Sequence, residues 1–240
     1  DDFAILQRGV RSEDQIRFLA LRIIEATNRP IDVNGASVSP RITLGVCLTP
    51  DGGRTYAELV KHAELAFLHQ KSTKREDYTV YEPRMDEEAH QRRVIEQMLR
   101  SALAEGAFEL FYQPIISGDG RTLVGFEALI RMPDGNGGYV SPADFIPIAE
   151  ARGYIKAIGT WVLGEAARQA AKWPDHIFVS VNLSPVQFRD GDLVEVVRNA
   201  LSAAGIDGRR LGIEVVETLL LEQSDEVLEQ LRALQALGIS

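Results

Sequence analysis

Apolar residues recur at two different spacings in residues 1–83, and the spacing predicts which segments are helices and which are strands. Helices are expected to begin at 12–15 and at 55–58, where the residue order of a capping box precedes apolar positions three and four apart. Strands are expected at 1–6, 42–48 and 78–81. Helices alternating with strands predict an α/β sandwich. Because segment 1–6 has the texture of a strand entered part-way, we expect this domain to start upstream of the first residue.

Residues 84–104 place apolar side chains on one helical side and charged ones on the other, which predicts a helix that connects two domains. Helices are also expected to begin at 141–144 and 184–187, and to cover 224–237. The predicted strands between them are 108–116, 123–131, 177–183 and 211–216. This alternation is typical of a βα barrel or a doubly wound sheet. The predicted domain boundaries are 1–83, 84–104 and 105–240.

The predicted strand 123–131 carries an ionisable side chain in the middle of an apolar run. Glu127 has neighbours of the kind that form a strand buried on both faces, and Arg131 follows four residues later. A carboxylate that is buried without compensation destabilises the fold strongly. Glu127 is therefore either paired within the core or held ready to bind a cation, and the strand pattern alone leaves both interpretations open.

Polar residues occur in two further apolar strands. Asn182 and Glu214 lie near the carboxyl ends of the strands that follow, and the carboxyl ends of parallel strands gather at one face of a βα fold. Together with Glu127 they would offer only oxygen ligands, which suit Mg²⁺, Mn²⁺ or Ca²⁺ rather than zinc. The spacing predicts either a metal site or three separate polar residues that bond to core backbone.

Charge and composition narrow the function classes. The 240 residues carry 26 Lys and Arg against 35 Asp and Glu, a formal net charge of −9, so we expect no DNA or RNA partner. No apolar run approaches the roughly 20 residues that span a bilayer. We therefore expect a cytoplasmic location, with membrane anchoring of a longer parent protein left open. The single Cys47 cannot form an internal disulfide.

Five short motifs follow one another along the second predicted domain. They are Tyr112-Gln113-Pro114, Glu127-Ala128-Leu129-Ile130-Arg131, Pro142-Ala143-Asp144-Phe145-Ile146-Pro147, Val181-Asn182-Leu183-Ser184 and Glu214-Val215-Val216-Glu217. In this order they resemble the first half of an EAL domain, the cyclic di-GMP phosphodiesterase family. The resemblance implies the first half of a TIM-like (β/α)₈ barrel and metal-dependent hydrolysis of cyclic di-GMP to the linear dinucleotide pGpG, with Mg²⁺ or Mn²⁺ as cofactor.

The same resemblance implies roles for individual residues. Glu127, Asn182 and Glu214 match metal ligands, and the two glutamates also match catalytic positions. Glu217 matches a catalytic glutamate that steadies an active-site loop. Contacts to the dinucleotide are matched by Gln113 and Arg131. The family also needs paired aspartates, a lysine and another glutamate further along the barrel, so we expect these 240 residues alone to be inactive.

Residues 1–83 resemble the trailing half of a GGDEF domain, the diguanylate cyclase family. Asp1 and Asp2 fit the end of that motif, while Lys71 and Arg75 fit phosphate contacts near its closing helix. Asp2 stands where the family has glutamate. We therefore expect a degenerate domain without cyclase activity, with GTP binding left open.

Together the two resemblances predict a tandem GGDEF–EAL protein of bacterial second-messenger signalling. The expected activity is that of a cyclic di-GMP phosphodiesterase, which in its complete form is expected to be a homodimer through the EAL domain. The alternative is a catalytically inactive receptor or scaffold that binds cyclic di-GMP without cleaving it. The absent second half of the barrel decides between the two, because the remaining family residues lie there.

Overall fold

The computed structural model describes residues 3–10, 12–40, 42–73, 78–189, 192–215 and 225–240. The chain divides into two compact units, Asp1–Gln91 and Arg92–Ser240. The boundary between them falls inside a long helix, Arg84–Glu105, which covers the predicted connecting helix. Among the described residues, no helix is both long enough and apolar enough to cross a membrane.

The first unit combines two long helices with short strands. Its elements are α1 (Glu13–Thr27), β1 (Ile31–Val33), β2 (Ala36–Val38), β3 (Leu44–Val46), α2 (Tyr56–Thr73), β4 (Tyr78–Val80) and the start of α3 (Arg84–Glu105). β3 and β4 pair in parallel. A Cβ added to Gly45 in β3 would lie 2.1 Å from the carbonyl oxygen of Ala63 in α2, so the helix backbone lies directly against the strand. The predicted α/β architecture is confirmed.

The expected strand at 1–6 is wrong for the part that the structure describes. Residues 3–6 belong to no strand, and the side chains of Phe3 and Leu6 are 96% and 82% exposed. Residues 1 and 2 lie outside the described residues. An apolar segment of this kind becomes a strand only when a neighbouring strand accepts its backbone hydrogen bonds, and no described strand lies beside it.

A β-hairpin that the sequence prediction missed lies between α1 and β3. β1 and β2 pair antiparallel, with Val33 opposite Ala36 across a two-residue turn. The turn residues Asn34 and Gly35 have φ angles of 56° and 87°, and positive φ at both positions is the backbone that a tight hairpin turn requires. Asn-Gly is the strongest short hairpin signal, so the sequence did contain the information.

The two predicted capping boxes of the first unit have different outcomes. Ser12 is the N-cap of α1 with extended backbone, but its side chain makes no capping hydrogen bond, so that part of the prediction is wrong. At the start of α2 the box is complete. The Glu58 amide donates to Thr55 Oγ1 at 3.2 Å, and the Thr55 amide donates to Glu58 Oε2 at 3.0 Å.

Asp86, in the first turn of α3, is the centre of a polar cluster in the first unit. Its carboxylate accepts hydrogen bonds from Lys61 Nζ at 2.7 Å and from the hydroxyl of Tyr81. His62 stacks on the Tyr81 ring with centroids 4.1 Å apart and places Nε2 3.4 Å from Asp86 Oδ2. The hydrogen bond from Lys61, followed by the one from Tyr81, lowers the pKa of Asp86. The hydrogen bond between Tyr81 and Asp86 also raises the pKa of Tyr81 to about 12.

We expect Asp86→Asn to destabilise the first unit and to flatten its acid dependence. Because the folded-state pKa of Asp86 is lowered, its stabilisation is present above the unfolded value of about 3.9 and is lost as the pH falls through the lower folded value. The midpoint of thermal unfolding should fall by about 2–5 °C at pH 7. Glu64→Gln, an exposed position on α2, is the matched control. Identical acid-unfolding curves for wild type and Asp86→Asn would contradict this role.

The second unit is an α/β arrangement around one sheet. Its strands are β5 (Glu109–Ile116), β6 (Leu123–Pro133), β7 (Tyr139–Val140), β8 (Phe178–Leu183) and β9 (Leu211–Val215). Its helices after α3 are α4 (Pro142–Arg152), α5 (Ile155–Ala170), α6 (Pro185–Phe188), α7 (Leu193–Ala204) and α8 (Asp225–Ala236), with a 3₁₀ turn at Gly208–Arg210. These elements follow the predicted order of strands and helices.

The strand order in this sheet is β5-β6-β8-β9, with β7 beside the end of β6. β6, β8 and β9 are parallel, whereas β5 runs antiparallel to β6. The core lies on the face that carries Ala128, Val179, Val181 and Leu211, all of them buried. Phe145 of α4 and Leu163 of α5 belong to the same apolar cluster and are fully buried. The sheet therefore leaves its other face for polar side chains.

Two of the predicted helix starts in this unit are confirmed in detail. Ser141 caps α4 by accepting a hydrogen bond from the Ala143 amide at 3.3 Å, with a proline in the first turn. Ser184 caps α6 in a complete capping box with Gln187, whose side-chain oxygen accepts from the Ser184 amide at 3.0 Å. Ser184 also donates to Glu150 Oε1 of α4 at 2.6 Å, which ties the end of β8 to that helix.

Arg210 is a buried cation that the sequence prediction did not single out. Its side chain is 10% exposed, and its Nη2 donates to the carbonyl oxygens of four residues between the end of α5 and the start of β8. These acceptors are Ala170, Trp173, Pro174 and Ile177, at 2.6–3.2 Å. The guanidinium thereby ties together the carbonyl groups of the turn that connects α5 to β8, two of which, those of Ala170 and Pro174, also accept a backbone amide.

Candidate functional site

Strand register places the candidate residues on one face of the sheet, opposite the apolar core. Glu127 of β6 is the parallel partner of Ser180 in β8, and Asn182 is the partner of Glu214 in β9. Residues two apart on a strand share a face, so Ser180 and Asn182 join the two pairs into one polar surface. Gln113 of β5 is the antiparallel partner of Glu127 and lies on the same face.

Two side-chain hydrogen bonds from β8 hold the two carboxylates. Asn182 Nδ2 donates to Glu127 Oε1 at 2.7 Å, and Ser180 Oγ donates to Glu214 Oε1 at 2.5 Å. Neither glutamate bonds to the residue directly beside it in the sheet. Glu127 is in register with Ser180 but accepts from Asn182. Glu214 is in register with Asn182 but accepts from Ser180. Asn182 and Glu214 are exposed, Glu127 is half-buried, and Ser180 is only 4% exposed.

Arg131 lies on the same face but nearer the carboxyl end of β6. Four residues separate it from Glu127, which is roughly 13 Å along a strand. Its guanidinium carbon is 5.1 Å from the centroid of the Phe111 ring, and its Nη1 donates to its neighbour's carbonyl oxygen. Phe111 in turn meets Tyr139 edge-on, with centroids 5.3 Å apart. Arg131 is thus placed by aromatic packing at the rim, separate from the carboxylates.

Several candidate residues cannot be placed. Glu217 lies outside the described residues, as do Asp1, Asp2 and Arg75. Lys71 belongs to the last turns of α2, but its side chain is outside the described part of the chain. The predicted site residues that the structure brings together are therefore Glu127, Asn182 and Glu214, with Gln113 beside them.

The chemistry of this donor set fits a hard divalent cation. Glu127 and Glu214 each use Oε1 to accept a hydrogen bond, which leaves the second carboxylate oxygen facing away from that bond. Asn182 donates through Nδ2, so its Oδ1 is turned away from Glu127 and keeps its acceptor capacity. Mg²⁺ and Mn²⁺ prefer such oxygen ligands. Within the described residues, no group of three His, Cys, Asp or Glu side chains gathers that could hold a metal ion.

A surface cavity lies elsewhere and is not this site. It has a volume of about 540 Å³ and is lined among others by Leu123, Phe126 and Trp173, near the start of β6. None of the candidate residues lines it. Trp173 packs on Phe126 and Tyr112, with centroids 4.7 and 5.2 Å apart, so an apolar structural role accounts for this tryptophan.

Ser180 is the site residue that the sequence prediction missed. The motif that contains Asn182 points to that asparagine, whereas a serine inside an apolar strand carries no signal of its own. The only available clue was its spacing of two residues from Asn182, which places both side chains on one face.

Parallel strands connected by helices, with carboxylate and amide oxygens gathered on one polar face, make the second unit an α/β domain. The EAL domain model matches residues 96–240, and the model for the GGDEF domain of diguanylate cyclases matches residues 1–77. The chain belongs to the EAL domain family and carries the GGDEF and EAL domains in tandem.

Similar proteins align with this chain along its whole length. The chain is 37% identical over 239 residues to the uncharacterized protein y4lL of Sinorhizobium fredii. It is 33% identical over 243 residues to MucR of Pseudomonas aeruginosa, a bifunctional diguanylate cyclase and cyclic di-GMP phosphodiesterase. Both alignments cover 100% of this chain, but only 29% and 35% of the respective relatives. The chain therefore spans about a third of the length of these relatives.

A solved structure supports the same assignment. The PaMucR phosphodiesterase in complex with c-di-GMP superimposes with a TM-score of 0.57 at 37% sequence identity. The match covers 61% of this chain and 61% of that structure. The predicted EAL-type α/β fold is thereby confirmed.

Proposed function

We propose that the protein containing these residues hydrolyses cyclic di-GMP to pGpG in a reaction that needs Mg²⁺ or Mn²⁺. The observation that carries this proposal is the polar face on which Asn182 bonds to Glu127 and lies in register with Glu214. It is supported by the family of the chain and by the phosphodiesterase named among its relatives. The reaction adds water to one phosphorus, breaks its bond to O3′ and leaves one proton of the water on that oxygen.

Glu127, Asn182 and Glu214 would hold the cation through oxygen atoms. A bound divalent ion supplies charge neutralisation at the phosphate and activation of the attacking water. The two carboxylates bring the negative charge that retains such an ion, and the amide oxygen adds a neutral ligand without further repulsion. Glu217, by resemblance, would steady an active-site loop.

Arg131 and Gln113 would bind the dinucleotide. A guanidinium offers a planar fork of donors that suits a phosphate, and the packing of Arg131 on Phe111 restricts where that fork can point. Gln113 lies opposite Glu127, so its amide would meet the substrate beside the cation rather than at the rim. Substrate contacts are thus proposed both at the rim, through Arg131, and beside the cation, through Gln113.

The remaining proposals concern the GGDEF domain, the assembly and the location of the protein. We propose that the GGDEF domain lacks cyclase activity because Asp2 replaces a glutamate there, and GTP remains a candidate ligand through Lys71 and Arg75. We also propose a homodimer through the EAL domain and a cytoplasmic location for both domains.

The decisive experiment assays the full-length gene product with cyclic di-GMP. We expect pGpG to accumulate over many turnovers with Mg²⁺ or Mn²⁺. EDTA should abolish turnover, because the side chains of Glu127, Asn182 and Glu214 carry no positive charge that could replace the cation. Restoring the metal should restore the rate. Binding of cyclic di-GMP without any pGpG, at saturating metal, would instead favour the receptor.

A further inference from the structure

Ser180 occupies a special position between the two carboxylates of the site. It is the parallel partner of Glu127 in β6, and its neighbour on β9 is Gly212, which contributes no side chain. Its hydroxyl passes over this gap and donates to Glu214 Oε1 at 2.5 Å. Ser180 is 4% exposed, whereas Glu214 is exposed, so a fixed donor holds a side chain that solvent would otherwise leave free to change rotamer.

We propose that Ser180 is a positioning residue that orients the Glu214 carboxylate for divalent-cation binding. The proposal rests on the proposed function, since it concerns the same cation. By engaging Oε1, Ser180 would leave the other carboxylate oxygen of Glu214 available to a divalent cation. Asn182 does the same for Glu127, so β8 fixes both carboxylates through side chains two residues apart.

A purely structural role for Ser180 makes a different prediction. A buried hydroxyl needs a hydrogen-bond partner wherever it lies, and Glu214 would satisfy it even if no cation ever bound. In that case the loss of the hydroxyl would change stability but not affinity for metal. If Ser180 orients a ligand, its loss should weaken metal binding, as is usual for groups that hydrogen-bond to metal ligands.

The experiment compares Ser180→Ala with Ser180→Thr in the full-length gene product. Mn²⁺ binding to metal-free protein is measured by calorimetry, without substrate. We expect Ser180→Ala to raise the dissociation constant by about 10-fold, within the 10–100-fold range for such outer partners. Ser180→Thr keeps the hydroxyl in a strand-compatible side chain and should lie closer to wild type. In activity assays the half-activating Mn²⁺ concentration of Ser180→Ala should rise, with kcat recovered at saturating Mn²⁺.

Ile177→Val is the structural control. It removes one methylene from a buried residue just before β8, 4% exposed and away from the polar face, so it should lower thermal stability slightly and leave Mn²⁺ affinity unchanged. Three results would overturn the proposal. They are a wild-type Mn²⁺ affinity in Ser180→Ala, an equally weakened Mn²⁺ affinity in Ser180→Thr and Ser180→Ala, and no Mn²⁺ binding by the wild type. If Ser180→Ala weakens Mn²⁺ binding but the wild type does not hydrolyse cyclic di-GMP, the positioning role of Ser180 is upheld and the proposed activity is refuted.

Discussion

Glu127→Gln in the full-length gene product is expected to lower kcat for cyclic di-GMP hydrolysis by at least about 100-fold, because even outer partners of a metal site are worth 10–100-fold. Gln keeps the shape of the side chain and one oxygen that can accept from Asn182 Nδ2, so the β6–β8 contact survives. What is lost is the charge that is proposed to retain the cation. The measurement is pGpG formation at saturating Mn²⁺, together with the thermal unfolding midpoint.

Glu165→Gln provides the matched control for this change. Glu165 pairs with Arg168 on α5, away from the polar face, so the same loss of charge should leave turnover unchanged. Turnover by Glu127→Gln near the wild-type rate would refute the role of Glu127 as a ligand. An equal loss in both variants would show that the assay responds to general destabilisation instead.

Arg210→Met is expected to give the largest loss of stability, about 2–4 kcal/mol for the second unit, because four carbonyl oxygens between α5 and β8 lose a charged donor at once. Met has a similar length and fills the space of the aliphatic stem, so the loss reports mainly on hydrogen bonds. The acceptors lie at the turn between α5 and β8. The free energy of unfolding of the second unit is measured by denaturant titration of the full-length gene product, with a spectroscopic signal that reports on this unit.

The neighbouring arginine is the control for this substitution. Arg209 pairs with Asp207, but its side chain is 82% exposed against 10% for Arg210. An exposed ion pair contributes little, so Arg209→Met should change the stability by less than about 1 kcal/mol. Equal destabilisation by the two variants would contradict the role assigned to the buried guanidinium.

The sequence predicted most of the second unit because its periodicity was strong. Glu127, Asn182 and Glu214 each interrupt an apolar strand, and such interruptions are visible without a structure. Their convergence on one face required the register, which the pattern of single strands does not contain. Ser180 was overlooked for the same reason, since only its partner across the sheet gives it a role.

The misses in the first unit have other physical causes. The Asn34-Gly35 hairpin has strands whose residues are all exposed, so no alternation marked them, although the turn itself was a clear signal. Phe3 and Leu6 have strand-like character, but propensity does not supply a partner strand. Arg209 and Arg210 are adjacent and identical in type, and nothing local distinguishes the buried one from the exposed one.

The reversed direction of β5 decides where the polypeptide enters the second unit. Because β5 is antiparallel to β6, Glu109 at its beginning lies opposite Arg131, which is at the carboxyl end of β6. α3 ends at Glu105, so only residues 106–108 separate that helix from the rim of the polar face. A parallel first strand would deliver the helix to the far end of the sheet. The end of α3 and Arg131, the arginine proposed to bind the dinucleotide, are therefore neighbours by topology. A displacement at the end of α3 has a path of only a few covalent links to β5, the strand that pairs with Arg131.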